Sequence, residues 1–165
     1  MSDVTIRPAT IDDAHDINVI YNEFVVDSHV SFDTAPWTDE KRTEWLTSRE
    51  ENGYPVLVAT DGAGVIGASW SGPWRDKEAY RRSVETTIVL IPGSEGAGLG
   101  TTLYRSLLSQ LATASFHRAY ALIALPNDPS IGLHRKLGFT EVGVLSEVGH
   151  KDDEYHSTML MECKL

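Results

Sequence analysis

Residues 83–111 read SVETTIVLIPGSEGAGLGTTLYRSLLSQL, and three kinds of local order follow one another along them. Val84, Thr86, Thr87, Ile88, Val89, Leu90 and Ile91 make an apolar, β-branched run that predicts a buried strand. Pro92 has no N–H to give a ladder and ends it. Glycine then stands at 93, 96, 98 and 100, and Leu103, Leu107, Leu108 and Leu111 follow at helical spacing. Strand, glycine loop and helix in this order aim free backbone N–H groups, with a helix dipole behind them, at a phosphate. Glu85 adds a carboxylate inside the apolar strand, where carboxylates are rare unless paired or used. An anion cradle and a candidate base on one strand point to a transferase using a phosphate-bearing cofactor.

Two common phosphate motifs do not fit. The dinucleotide fingerprint G-x-G-x-x-G fails, because from Gly96 its last position is Thr101 and from Gly98 it is Leu103. The P-loop fails too, since Leu99 stands where lysine is required after Gly93 and Gly98. The whole chain, 165 residues, predicts one domain (1–165) with a real core. Fourteen basic against 24 acidic side chains give a net charge of -10, which argues against nucleic acid and suits cationic substrates. No apolar run has the length of a membrane span, and residues 1–15 lack a signal-peptide core. The single Cys163 excludes an internal disulfide and fits a reducing cytoplasm.

Outward from the central stretch, the pattern predicts alternating elements. Val4–Pro8 reads as a first strand, and Thr10 with Asp12 and Asp13 as the start of a helix ending near Asp27. Thr38, Asp39 and Glu40 start a second helix that runs to about Asn52. Pro55–Thr60 and Val65–Ser71 read as a hairpin around D-G-A-G, followed by a polar connector over 72–82. After the central strand and helix come a strand at Arg118–Leu125, a short helix at Ser130–Leu137, and strands at Glu141–Ser146 and Tyr155–Lys164. The order is βααβββαβαββ, an α/β (α+β) arrangement. His150, Asp152, Asp153, Glu154 and His156 cluster around the last turn but lack a metal-ligand spacing, so no metal is expected.

The loop E-G-A-G-L-G (Glu95–Gly100) resembles the Q/R-x-x-G-x-G/A signature of the GCN5-related N-acetyltransferases, with Glu95 where that family prefers Gln or Arg. Further stretches resemble its phosphinothricin and methionine sulfoximine N-acetyltransferase branch. These are S-F-D-T-A-P (Ser31–Pro36), G-P-W-R (Gly72–Arg75), V-E-T-T (Val84–Thr87), G-L-G-T-T-L-Y (Gly98–Tyr104), L-P-N-D-P-S (Leu125–Ser130) and H-x-x-L-G-F (His134–Phe139). The resemblance implies a mixed, mostly antiparallel twisted sheet of about seven strands flanked by four helices, commonly as a homodimer. It also implies acetyl-CoA as co-substrate and transfer to the amine of phosphinothricin, methionine sulfoximine or methionine sulfone. In that reading Glu85 is the base and His134 stands where many relatives carry the tyrosine that protonates the leaving thiolate. Ile88, Leu90 and the backbone of Glu95, Gly96, Ala97, Gly98, Leu99, Gly100 and Thr101 would hold CoA, with Asn127 near its pantetheine arm. Phe32, Arg75, Lys77 and Tyr80 would line the acceptor site.

The chemistry such residues would carry is acetyl transfer in a ternary complex. An amine with a lysine-like pKa of ~10.4 is almost wholly protonated at pH 7, and freeing its lone pair costs about 4–5 kcal/mol. A carboxylate raised in pKa by burial can take that proton. A backbone N–H at Leu90 would meet the charge that grows on the thioester oxygen. His134 or Tyr104 would protonate the leaving thiolate, His134 being preferred for its pKa. The basic connector (Arg75, Lys77, Arg81, Arg82) would grip an acid group on the acceptor. Two rivals stand beside this reading: acceptors that are peptide N-termini, lysines or polyamines, and a CoA-binding module without catalysis.

Overall fold

The structure is a computed structural model that describes residues 4–94 and 98–165. A seven-stranded sheet forms its middle layer, in the spatial order β1-β2-β3-β4-β5-β7-β6. The strands are β1 (Thr5–Pro8), β2 (Val56–Asp61), β3 (Gly64–Pro73), β4 (Ser83–Leu90), β5 (Arg118–Ala124), β6 (Thr140–Lys151) and β7 (Glu154–Lys164). Every neighbouring pair is antiparallel except β4 and β5, which run parallel. Four helices cover the sheet: α1 (Ala14–Asp27), α2 (Asp39–Glu51), α3 (Leu99–Thr113) and α4 (Asp128–Lys136). This is the element order that the sequence predicts.

The two faces carry separate cores. On one, Leu103, Tyr104, Leu107 and Leu111 of α3 and Ile131 of α4 pack on Leu57, Val84, Ala119 and Ala121. On the other, Ala14, Ile17 and Ile20 of α1 and Leu46 of α2 pack on Val58, Ala68, Trp70 and Val89. Side chains alternate across a strand, so Val84, Thr86, Ile88 and Leu90 face α3 and α4, whereas Glu85, Thr87 and Val89 face α1 and α2. That parity decides which residues can meet at the site.

Local signals set the helix starts. The Asp13 carboxylate accepts from the Thr10 backbone N–H at 2.7 Å and pairs with Arg7, also at 2.7 Å, ahead of α1. Thr38 caps α2, its hydroxyl accepting from the Lys41 N–H. Asn127 caps α4 through its side-chain oxygen and the Ser130 N–H.

The final hairpin differs from its expected limits. β6 runs to Lys151, five residues past Ser146, and only Asp152 and Asp153 form the turn. Both have positive φ, 54° and 60°, as a two-residue hairpin turn of mirror-image type demands. Nine consecutive residues of β6, Thr140–Val148, are exposed, so no hydrophobic alternation marks the strand. The connector also shortens: Gly72 and Pro73 belong to β3, and Glu78–Tyr80 form a 3-10 turn.

Candidate active site

β4 and β5 pair over three residues only, Ser83–Arg118, Val84–Ala119 and Glu85–Tyr120. Beyond them β4 stays with β3 as far as Leu90, and β5 stays with β7 as far as Ala124, so the sheet opens between two parallel strands. The Thr86 hydroxyl donates to the Tyr120 carbonyl at 3.1 Å and closes the fork. Ile91 donates its N–H to Ile66, beside β3. In an alternating antiparallel ladder that turns residues 87, 89 and 91 toward β3, and leaves the N–H and C=O of Ile88 and Leu90 facing the gap. A cavity of about 360 Å³ fills the fork, walled by Glu85, Ile88, Asn127, His134 and Phe32 among others.

The carboxylate of Glu85 sits on this wall, half-buried, and no side chain among the described residues hydrogen-bonds it. Burial pushes its pKa above the ordinary carboxylate value, while the nearby charges of Arg75 and Arg49 pull the other way. Arg75 is exposed and lies over the Trp74 ring at 4.2 Å. Trp74 in turn stacks at 4.4 Å on Tyr120, the β5 partner of Glu85. A tower of stacked rings thus holds a cation beside the Glu85 carboxylate.

Across the sheet the groups are paired instead. His134 is buried, its Nδ1 2.7 Å from the Ser130 carbonyl and its Nε2 3.1 Å from the Tyr104 hydroxyl. A carbonyl only accepts, which assigns the proton to Nδ1 and leaves Nε2 to accept from Tyr104 in the neutral ring. Tyr104, wholly buried, also lies 2.6 Å from the Thr86 hydroxyl. In this neutral state Thr86 has one proton for two oxygens, those of Tyr104 and Tyr120. Protonating His134 would give every link its own donor, running from His134 through Tyr104 and Thr86 to Tyr120. Burial acts against that, and pushes the His134 pKa below its ordinary value.

At the far end of β4, Gly98 (φ +81°) precedes α3. The first intrahelical bond runs from Thr102 to Gly98, the N–H groups of Leu99, Gly100 and Thr101 have no acceptor within the helix among the described residues, and the first turn carries no acid. A Cβ at Gly100 would sit 3.3 Å from Leu90 and 3.5 Å from Leu133, which is how closely the helix end packs on the fork. Open amides at a helix start, beside an apolar gap, fit a long ligand with a phosphate group at one end. The expected contacts of Glu95, Gly96 and Ala97 lie outside the described residues.

The comparisons with known proteins agree with this geometry. Residues 3–140 match the model of the acetyltransferase (GNAT) domain. The chain belongs to that family. It is an acetyl-CoA-dependent N-acetyltransferase, on the same GNAT fold as its solved relatives. It is 43% identical over 157 residues to the phosphinothricin N-acetyltransferase of Streptomyces coelicolor, covering 93% of this chain and 92% of that one. It is 35% identical over 162 residues to the L-methionine sulfoximine/L-methionine sulfone acetyltransferase of Pseudomonas aeruginosa, covering 98% and 94%. A GNAT phosphinothricin acetyltransferase from Sinorhizobium meliloti, solved in complex with acetyl-CoA, superposes with a TM-score of 0.94 at 32% identity over 100% of this chain and 89% of that one.

The acetyltransferase fork brings Glu85, Ile88, Asn127, His134 and Phe32 together. Leu90, Arg75, Lys77 and Tyr80 are not on the cavity wall, and the last three lie exposed on the connector. Phe32 reaches the wall because its ring lies against Gly149, where a Cβ has no room. Sequence reasoning passed over Thr86, Arg49 and Lys151. The buried Lys151 ammonium donates to the carbonyls of Val25, Ser28 and Ser31 at 2.7–2.8 Å and ties down the loop that carries Phe32. An alternation count would have put Thr86 on the His134 face. Nothing in sequence spacing links Lys151 to residues more than a hundred positions away.

Proposed function

We propose that this chain, a single acetyltransferase domain spanning 1–165, acetylates the amine of a small amino-acid analogue. The class is phosphinothricin, methionine sulfoximine or methionine sulfone, and transfer is direct within a ternary complex. One observation carries the reading: an unpaired, half-buried carboxylate stands at the fork with a stacked guanidinium beside it. A base and a cation side by side suit an acceptor that carries an amine and an acid on neighbouring atoms. The names of the relatives support the same class.

Acetyl-CoA supplies an acetyl group on an activated thioester carbonyl. Glu85 takes the proton of the acceptor ammonium, for which burial has raised its basicity. The N–H groups of Ile88 and Leu90 that face the gap are donors for the carbonyl oxygen as negative charge grows there. The Tyr104–His134 pair passes a proton to the leaving sulfur, His134 being its member on the cavity wall. The open amides of Leu99, Gly100 and Thr101 hold the pyrophosphate, Asn127 flanks the pantetheine arm, and Phe32 with Arg75 meets the acceptor, with Tyr80 and Lys77 at its outer edge.

The protein works as a cytoplasmic homodimer in this reading. Val142, Val144, Val148 and Tyr155 leave an exposed apolar strip, between 50% and 68% accessible, on the edge hairpin. Among the described residues no helix is long and apolar enough to cross a membrane. The test is release of free CoA thiol with phosphinothricin, methionine sulfoximine, methionine sulfone, a lysine peptide and spermidine as acceptors. Turnover is expected with the first three only. Turnover confined to the peptide or polyamine would overturn the acceptor class.

A further inference from the structure

Arg49, near the end of α2, has an unusual environment. Its Nε is buried with no hydrogen-bond partner among the described residues. The guanidinium packs instead near the rings of Trp45 (5.3 Å) and Tyr54 (5.7 Å) and lies flat over Gly72. A Cβ at Gly72 would come within 2.8–2.9 Å of three guanidinium atoms, so glycine is what lets the cation approach the sheet there. Gly72 is the direct β3 partner of Glu85. Side chains of a directly opposed pair leave the same face with Cβ atoms about 4.5–5.5 Å apart. The Arg49 guanidinium therefore occupies the side-chain position next to the Glu85 carboxylate. An unpaired, half-buried cation in that place is costly unless its field is used.

We propose that Arg49 is a positioning residue for the base: laid over Gly72, its guanidinium keeps the buried Glu85 carboxylate ionised and directed into the fork. This rests on Glu85 being the base. Other groups facing Glu85 are Arg75 from the connector, Tyr120 from β5 and, through the sheet, Tyr104 from α3. Of these Arg75, exposed on the connector, exerts the larger pull on Glu85, and the half-buried Arg49 adds to it from the α2 side. Burial lowers the pKa of Arg49 and raises that of Glu85, and the attraction between the two charges opposes both shifts.

The test compares Arg49→Gln, Arg49→Lys and Gly72→Ala with the parent enzyme. Two readouts are taken: the acid limb of kcat/KM against pH, and a direct carbon-13 NMR titration of the Glu85 carboxyl, assigned by its loss in Glu85→Gln. Removing the cation should shift the Glu85 titration upward by roughly 0.5–1 pH unit, and the acid limb with it. Arg49→Lys should stay near the parent. Gly72→Ala, which displaces the guanidinium but keeps its charge in the protein, should give part of the shift and carries the test if Arg49→Gln fails to fold. An unmoved Glu85 titration in both charge-removing and displaced variants would overturn the proposal. A moved titration with an unmoved acid limb would instead retire Glu85 as the base and leave the Arg49 coupling standing.

Discussion

The two sides of the fork solve opposite problems. On the α2 side, Glu85 has no hydrogen-bond partner among the described residues and is held by charge alone, between a stacked Arg75 and an enclosed Arg49. On the α3 and α4 side, His134, Tyr104 and Thr86 are buried and joined end to end by hydrogen bonds. In the proposed mechanism Glu85 offers its lone pairs to the acceptor, and tying it to protein donors would compete with that task. A proton donor that serves a good leaving group gains more from fixed geometry than from strength. The difference shows that one sheet face is kept electrostatically loaded and the other hydrogen-bonded from group to group, with one strand, β4, serving both through its alternation.

The comparison breaks most severely at the loaded side. Glu85→Gln keeps shape and removes the base, and kcat should fall by roughly 10²–10⁴-fold, with the acid limb of the pH profile abolished. Steady-state rates across pH 5–9 check this. A loss under threefold would mean that the acceptor gives up its proton to water unaided. His134→Asn should do less, about tenfold in kcat, because thiolate leaves readily. It should also change stability against pH in a defined direction. Unfolded histidine takes up a proton near its usual ~6.5, and the buried ring resists it, so the folded protein loses stability as pH falls below that value. The slope of melting temperature between pH 5 and 7 should be shallower in His134→Asn.

Tyr104→Phe sharpens the contrast from the hydrogen-bonded side. It leaves His134 Nε2 without its donor and Thr86 without one of its two partners, in a site that excludes water. The expected cost is about 1–3 kcal/mol in chemical denaturation, with a smaller effect on kcat than His134→Asn. A variant as stable as the parent would show that the chain of hydroxyls adds little to the fold.

How much of this was legible in sequence follows from what periodicity can carry. The strand at 83–91, its proline stop and the helix after Gly98 each rest on local signals, and β4 and α3 lie where these put them. The fork was not legible, because the point where β4 leaves β5 is set by three rungs of pairing and not by any residue type. The length of β6 was hidden by its exposure, which removes the alternation that marks a strand. Arg49 was hidden differently. It lies in a helix read from its start signals at Thr38–Glu40, and its partner is a glycine whose significance appears only when the register puts it beside Glu85. Sequence thus showed the groups that do chemistry more readily than those that set its electrostatics.

The smallest effect, that of Lys77, belongs to the connector, where four basic residues invited a single reading as an acid clamp. The structure separates them: Arg75 is pinned over Trp74, whereas Lys77 is exposed and precedes the 3-10 turn at Glu78–Tyr80, and Arg81 pairs with Glu78 at 3.3 Å. A cation held in place loses little entropy on meeting an anion, while a free lysine chain loses up to ~2 kcal/mol of rotamer freedom and is screened by salt. Arg75→Gln should therefore raise the acceptor KM by about tenfold or more, the scale of one charge-assisted hydrogen bond. Lys77→Ala should change it by less than about threefold, with the acetyl-CoA KM unaltered in both. Equal losses from the two substitutions would mean that the connector folds over the acceptor and recruits Lys77, joining an outer lid to the loaded side of the fork.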